Sequence, residues 1–193
     1  VSCLALEEVV PPRQQIMVSR SFGATVAARE QLEEAVSTYV ASAAEKLRRQ
    51  GSEAVAVYVF VLTNRFRPEE PQNNAGRLVA LPEPSDDTLA LTKTALAGLR
   101  GIYRPGFAYK KAGVILGPLV AKGERQQSLM TDTHAALRSE GLMTTIDALN
   151  RRFGAGRLRT GSSGTARTWA MRAGNRTPRY TTCWDDLAIV RAR

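Results

Sequence analysis

The sequence predicts an α+β domain with the element order β-α-β-β-α-β, a four-stranded sheet carrying two helices on one face, followed by a small C-terminal region. Three observations predict it. Ala54 to Leu62 sets Val55, Val57, Val59 and Val61 against Tyr58, Phe60 and Leu62, so both faces of this strand are apolar and it belongs at the centre of a sheet. Two other stretches repeat apolar residues at helical spacing. Extended pieces flank those helices so that two β-α-β halves follow one another. The sheet face opposite the helices is left for a ligand, and because RNA-recognition modules share this layout, topology alone selects no function.

Taken in order, Pro11 and Pro12 break the chain, so residues 1–12 read as a linker. The first strand runs from Arg13 to Gly23, with Ile16 and Val18 alternating against polar neighbours. From Arg29 to Gln50, Leu32, Val36, Tyr39, Val40, Ala43 and Leu47 form a helical stripe opposite Glu33, Glu34, Lys46 and Arg48, and Gly51 supplies the stop. After the central strand, a turn-rich stretch from Pro68 to Gly76 leads to a short strand, Arg77 to Leu81. Its flanking Pro82 and Pro84 suit a sheet margin, paired back on the central strand. Asp86 or Asp87 caps a second helix ending near Tyr103, with Leu91, Ala95, Leu99 and Ile102 on its stripe. Tyr109 to Gly117 is the fourth strand and closes a domain over residues 13–120. Residues 121–138 read as a polar hinge. Residues 139–193 form the C-terminal region, in which a helix from Ser139 to Phe153 presents Leu142, Ile146, Leu149 and Phe153 on one face, followed by turns and short strands. Trp169, Met171, Tyr180 and Trp184 are too many large apolar residues for a disordered tail.

At 193 residues and 44% hydrophobic, the chain can bury a substantial core. Because it begins at Val1 rather than Met, it is expected to be an excised fragment. No run of about 20 apolar residues marks a membrane span and no leader resembles a signal peptide, so a soluble, cytoplasmic protein is expected. Cys3 and Cys183, with His134 as the sole histidine, make neither a disulfide framework nor a zinc pattern, and ordinary thiols are expected. The net charge of +9 is unevenly spread. Residues 13–123 carry 15 lysines and arginines against 10 acidic residues, and the tail from Asn150 carries 10 arginines against Asp185 and Asp186 alone, with a mildly acidic stretch between. Two basic zones of this kind attract polyanions.

Two extended segments concentrate the polar chemistry. In Tyr109-Lys-Lys-Ala-Gly-Val-Ile-Leu-Gly, Lys110 and Lys111 are neighbours and so point to opposite sides of a strand, either as phosphate contacts or as charges guarding an edge. In Ser19-Arg-Ser-Phe-Gly, Arg20 can pair with a phosphate, Ser19 and Ser21 can donate hydrogen bonds, and Gly23 leaves room for backbone N–H contact. The two segments are expected to lie near each other in one sheet. Thr63-Asn64-Arg65 adds donors near the same edge. Tyr58 and Phe60 could stack bases, but on so apolar a strand core packing is the stronger reading. No paired strand aspartates, phosphate-binding glycine loop or nucleophile with an evident base is found. No catalytic residue, metal ligand or cofactor is therefore expected in this segment.

These residues give the sequence a strong, end-to-end resemblance to the C-terminal part of UmuC-type subunits of DNA polymerase V, Y-family translesion polymerases grouped with the ImpB, MucB and SamB proteins. The most specific stretches are Cys3-Leu-Ala-Leu-Glu-Glu, Ser19-Arg-Ser-Phe-Gly, Ala43-Ala-Glu-Lys-Leu-Arg, Tyr109-Lys-Lys-Ala-Gly-Val-Ile-Leu-Gly and Pro178-Arg-Tyr-Thr-Thr. The resemblance implies that residues 13–120 are the little finger, a DNA-binding domain whose sheet lies along the primer-template. Its matching contact positions are Arg20, Ser21, Phe22, Gly23, Thr63, Asn64, Lys110, Lys111 and Gly113. It also implies a sliding-clamp peptide at Gln126-Gln-Ser-Leu-Met130, anchored by Gln126, Leu129 and Met130, with Met130 in place of the usual phenylalanine. The palm carboxylates that bind magnesium lie upstream in the family. UmuD′ and DNA are the two candidate partners of the tail. The implied role is DNA binding and clamp tethering for an error-prone polymerase of SOS DNA repair. The residues alone also admit a protein-interaction adaptor with a basic tail, or a single-strand RNA-binding module.

Overall fold

A computed structural model of the chain describes residues 12–123, 133–171, 174 and 177–189. The elements are β1 (Ile16–Val26), α1 (Arg29–Gln50), β2 (Ser52–Thr63), β3 (Ala75–Ser85), α2 (Thr88–Ile102), β4 (Tyr109–Leu116), β5 (Leu119–Ala121) and α3 (Thr133–Phe153). Single 3-10 turns follow at Gly161–Ser163 and Trp184–Asp186. The four main strands lie in the order β1-β4-β2-β3, every neighbouring pair antiparallel, so β2 is interior as its two apolar faces require. The short β5 adds to β2 at Ser52–Ala54, a pairing that no sequence signal announces.

Helix α1 packs on β1, β4 and β2, and α2 on β2 and β3, so the helices share one face of the sheet, as expected. Leu32, Val36, Val40, Leu47, Val57, Val59, Val61, Leu91, Leu99, Val114 and Leu116 are fully buried between the layers. Helix α1 stops where Gly51 turns left-handed at φ 72° and its N–H reaches the Arg48 and Leu47 carbonyls, a conformation that glycine adopts without strain. Helix α2 is capped by Asp87, whose carboxylate accepts from the Leu89 N–H at 2.7 Å.

Other differences from expectation have local causes. β3 extends beyond Arg77–Leu81 to take in Pro82 and Pro84, which an edge strand tolerates on its unpaired side. α3 begins at Thr133, taking in the end of the expected hinge. The described residues of the tail contain turns and 3-10 turns but no strand. Gly154, Gly156 and Gly164 sit at φ 106°, 73° and 64°, and turn the chain too often for a ladder to form. The stripe of α3 that includes Leu142, Leu149 and Phe153 is exposed, and the helix docks instead through Ser139, Met143 and Asp147, spaced four residues apart. Cys3 and most of the expected linker lie outside the described residues, as do Gln126, Leu129 and Met130. Among the described residues, no helix is long and apolar enough to cross a membrane.

Candidate nucleic-acid interface

Strand alternation sorts the candidate residues by face. On β1, Ile16, Val18 and Phe22 are buried toward the helices, which puts Arg20 on that side and Met17, Ser19 and Ser21 on the helix-free side. β1 and β4 are direct neighbours, as the two charged segments were expected to be. Their register places Ser21 opposite Lys111, which in turn lies opposite Leu62 of β2. The next helix-free row is Ser19, Gly113, Phe60 and Gly76, and the next Met17, Ile115, Tyr58 and Leu78. One end of this face is therefore polar and cationic, and the rest is apolar.

The bulge between Tyr109 and Lys111 separates the two lysines. Lys110 donates to the Phe22 carbonyl at 2.9 Å, a bond that ties β4 to β1. Lys111 has no hydrogen-bond or ion-pair partner among the described residues and is only partly covered. Buried Tyr109 fixes this end of β4. Its hydroxyl accepts from Asn73 Nδ2 at 2.7 Å and from the Arg104 N–H at 3.0 Å, and lies 3.1 Å from the Arg104 carbonyl to which it donates.

The other nominated residues serve the fold in ways that sequence spacing did not show. Phe22 is buried and meets the Trp169 ring edge-on at 6.3 Å between centroids. The Gly23 N–H points to the Trp169 carbonyl at 3.4 Å. Thr63 is buried, donates to Gln72 Oε1 at 2.7 Å and accepts from the Asn73 N–H at 3.1 Å, so it organises the loop after β2. Asn64 Oδ1 accepts from the Phe66 N–H at 3.2 Å. Gly113 leaves the space that the Phe60 ring and Ser19 Cβ fill, so a side chain there would collide with both. Tyr58 lies across Gly76 in the same way, and its ring centroid is 6.1 Å from that of Phe60. These aromatics therefore cover glycines of the adjacent strands, in keeping with the packing reading of Tyr58 and Phe60.

Arg20, with Arg159 and Arg167 from the tail, lines a cleft beside α1 on the helix side, away from Lys111. Trp169 reaches back from the tail to sit against Phe22 and Tyr39, at 5.8 Å from the Tyr39 ring. A second attachment is polar: Arg48 holds Asp147 of α3 through two contacts of 2.7 Å and also donates to the Asp86 carbonyl and Thr88 Oγ1. Sequence reasoning placed Arg48 on the solvent side of α1 and missed this network, because its partners are scattered along the chain. Burial works against the Lys122 ammonium, but its bonds to Glu140 and Asp86 outweigh that and hold it above the usual lysine range.

The architecture defines a two-layer α+β module in which one sheet face carries no helix among the described residues, and the polar end of that face joins β1, β4 and the end of β2. The chain belongs to the impB/mucB/samB family: residues 13–129 match that family's C-terminal domain. Residues 140–190 match a domain family of unknown function. The chain is 38% identical over 189 residues to the protein UmuC of Salmonella typhimurium, covering 98% of this chain and 45% of that protein. To the protein ImpB of Salmonella typhimurium it is 36% identical over 190 residues, covering 98% of this chain and 45% of that protein. It therefore spans less than half the length of these curated relatives. Among solved structures, the little finger domain of PolIV, from its complex with the beta-clamp processivity factor, shows a loose likeness. Its TM-score is 0.37 at 16% identity, over 61% of this chain and 99% of that one. The family resemblance read from the motifs is borne out.

Proposed function

We propose that this chain is the DNA-holding, clamp-tethering part of an error-prone translesion DNA polymerase of SOS DNA repair, in which chemistry and magnesium belong to a palm domain elsewhere. The observation that carries the reading is the row Ser21–Lys111–Leu62. Two segments remote in sequence, both among those on which the family resemblance was read, meet there on the helix-free face, and the Lys111 ammonium is left without an internal partner among the described residues. A cation and a hydroxyl at this spacing suit successive oxygens of a phosphate backbone and carry no base specificity.

Within this reading Ser21 and Lys111 touch DNA, while Lys110, Phe22, Thr63 and Gly113 shape the surface that presents them. Gln126, Leu129 and Met130 are the proposed clamp anchors, and the basic tail is the proposed contact for UmuD′ or DNA. The test is primer-template binding across a salt series. Lys111→Ala should weaken binding on every sequence and lower the log-log slope by roughly 0.9, the value for one phosphate no longer neutralised. An unchanged slope sinks the assignment. Replacing Leu129 and Met130 together with alanine should abolish clamp binding and leave DNA affinity intact.

A further inference from the structure

Behind the sheet, between α1, α3 and residues 155–171, lies a cleft of about 530 Å³. Arg20, Arg159 and Arg167 line it, and none of the three has an ion-pair partner among the described residues. The carboxylates on the same lining are already engaged, Asp147 by Arg48 at 2.7 Å and Glu45 by Arg49 at 2.8 Å. The arginines therefore share the lining without an ion-pair partner among the described residues. Burial first, and then the neighbouring Arg159, hold Arg167 below the usual arginine range. Two neutral donors lie beneath the same lining, in the wall that Tyr39 and Trp169 form. Trp169 and Tyr39 are 5% and 2% exposed, and the indole N–H and the phenol oxygen are buried with no hydrogen-bond partner. Burial pushes the Tyr39 phenol up to about 12 against the lowering effect of Arg20, so it keeps its proton as a donor. Buried donors of this kind normally find acceptors.

We propose that this cleft is a phosphate-binding site, in which Arg20, Arg159 and Arg167 engage the phosphate oxygens above the Tyr39 and Trp169 wall. Three guanidinium groups, with no free carboxylate opposite them among the described residues, call for a ligand made of acceptors alone. A tetrahedral phosphate offers more acceptor oxygens and more negative charge than a carboxylate, and guanidinium forks match it geometrically. The cleft also falls within the volume range of small-ligand sites, and Val18, Ile146 and Leu158 give it an apolar part. The phosphate can be free or can end a nucleic-acid strand. The site stands apart from the sheet-face reading, since its residues are reached from the opposite side of the sheet.

Calorimetric titration of the full 193-residue chain with sodium phosphate, with sodium acetate, and with single-stranded hexanucleotides with and without a 5′-phosphate tests the proposal. Phosphate should bind at least about 10-fold more tightly than acetate, and R159Q/R167Q should lose about 100-fold in phosphate affinity, as two charge-assisted hydrogen bonds disappear. Lys111→Ala should bind phosphate unchanged. A 5′-phosphorylated hexanucleotide binding more tightly than phosphate itself assigns the site to strand ends, and equal binding assigns it to free phosphate. The double variant should melt no lower than the parent, because relief of the Arg159–Arg167 repulsion offsets any lost packing. Three results would each overturn the site: no phosphate binding by the parent chain, equal affinity for acetate, or undiminished phosphate binding by a folded R159Q/R167Q. A double variant that melts lower and still binds phosphate would instead make the arginines structural.

Discussion

Residues 16–121 and residues 133–189 are held in place by different physics. In the first, a continuous apolar core joins every layer. Among the described residues, Trp169 is the one fully or nearly buried member of that core that comes from beyond the sheet domain. In the second, apolar side chains are largely turned outward, among them Leu137, Leu142, Phe153 and Ile189, and Trp184 is 87% exposed. This region is pinned at separate points: Trp169 against Phe22 and Tyr39, Asp147 on Arg48, Ser139 on Asp87 and Glu140 on Lys122. Burial spread over a core makes a unit that tolerates damage at one position, whereas point attachment concentrates the cost in a few residues.

The sharpest way to break that contrast is to remove Trp169. Trp169→Ala should cost about 3–4 kcal/mol, the usual penalty for deleting a large buried aromatic. It should release the segment around residues 155–171 to proteases while the sheet domain stays resistant. Equilibrium urea unfolding followed by limited proteolysis measures both effects, and an unchanged digestion pattern would mean that the tail is held by something else. Arg48→Ala comes next, at about 3 kcal/mol, because it strands a part-buried Asp147 carboxylate. This substitution should free α3 and leave Trp169 seated. Asp147→Ala in the Arg48→Ala background should then add little, which a double-mutant cycle by urea unfolding would show.

The same contrast explains what could be read from the residues alone. The sheet domain was legible because its signals are local. Alternating valines mark β2, helical stripes mark α1 and α2, and Asp87 and Gly51 stand where caps and stops belong. The pairing of Ser19-Arg-Ser-Phe-Gly with the lysine strand was legible as well. The direction of single side chains was less so. A run of site positions read from the resemblance divides into Lys111 and Ser21 on the open face, Lys110 on a carbonyl, Gly113 under Phe60 and Arg20 on the helix side. The bulge and the alternation that separate them are set by the register of β1, β4 and β2 together. The tail was least legible. No periodicity predicts that Trp169 will seat against Phe22, or that Arg48 on an apparently solvent-facing stripe will meet Asp147.

Lys110 and Lys111 sharpen the comparison at smaller scale, since one is built into the fold and its neighbour is not. Lys110→Ala should cost about 1–2 kcal/mol of stability, because it removes the charge-assisted bond to the Phe22 carbonyl. It should leave the salt slope of DNA binding near its parent value. Lys111→Ala should melt like the parent and change the slope. Thermal melts of both variants beside the DNA salt series separate them, and a Lys111→Ala protein with a lower melting point and an unaltered slope would give that lysine a structural role.

The smallest effect belongs to the ion pair that fastens the start of α3. The hydrogen bond from Lys122, and then its charge, hold the Glu140 carboxyl below its ordinary value of 4.5. A carboxylate depressed in the folded state stabilises the protein fully above the unfolded value, and that contribution fades as pH falls through the lower folded value. The window is therefore below about pH 4.5, with nothing lost between there and neutrality. Because Glu140 is half exposed, solvent screens the pair, and the change should stay under about 0.5 kcal/mol. Comparing urea midpoints at pH 7 and in that acid window for the parent and Glu140→Gln isolates it, since the glutamine variant removes this one source of acid dependence. If both proteins lose stability equally on acidification, the Lys122–Glu140 pair contributes nothing measurable to the docked helix. The attachment would then rest on the network around Arg48 rather than on Lys122.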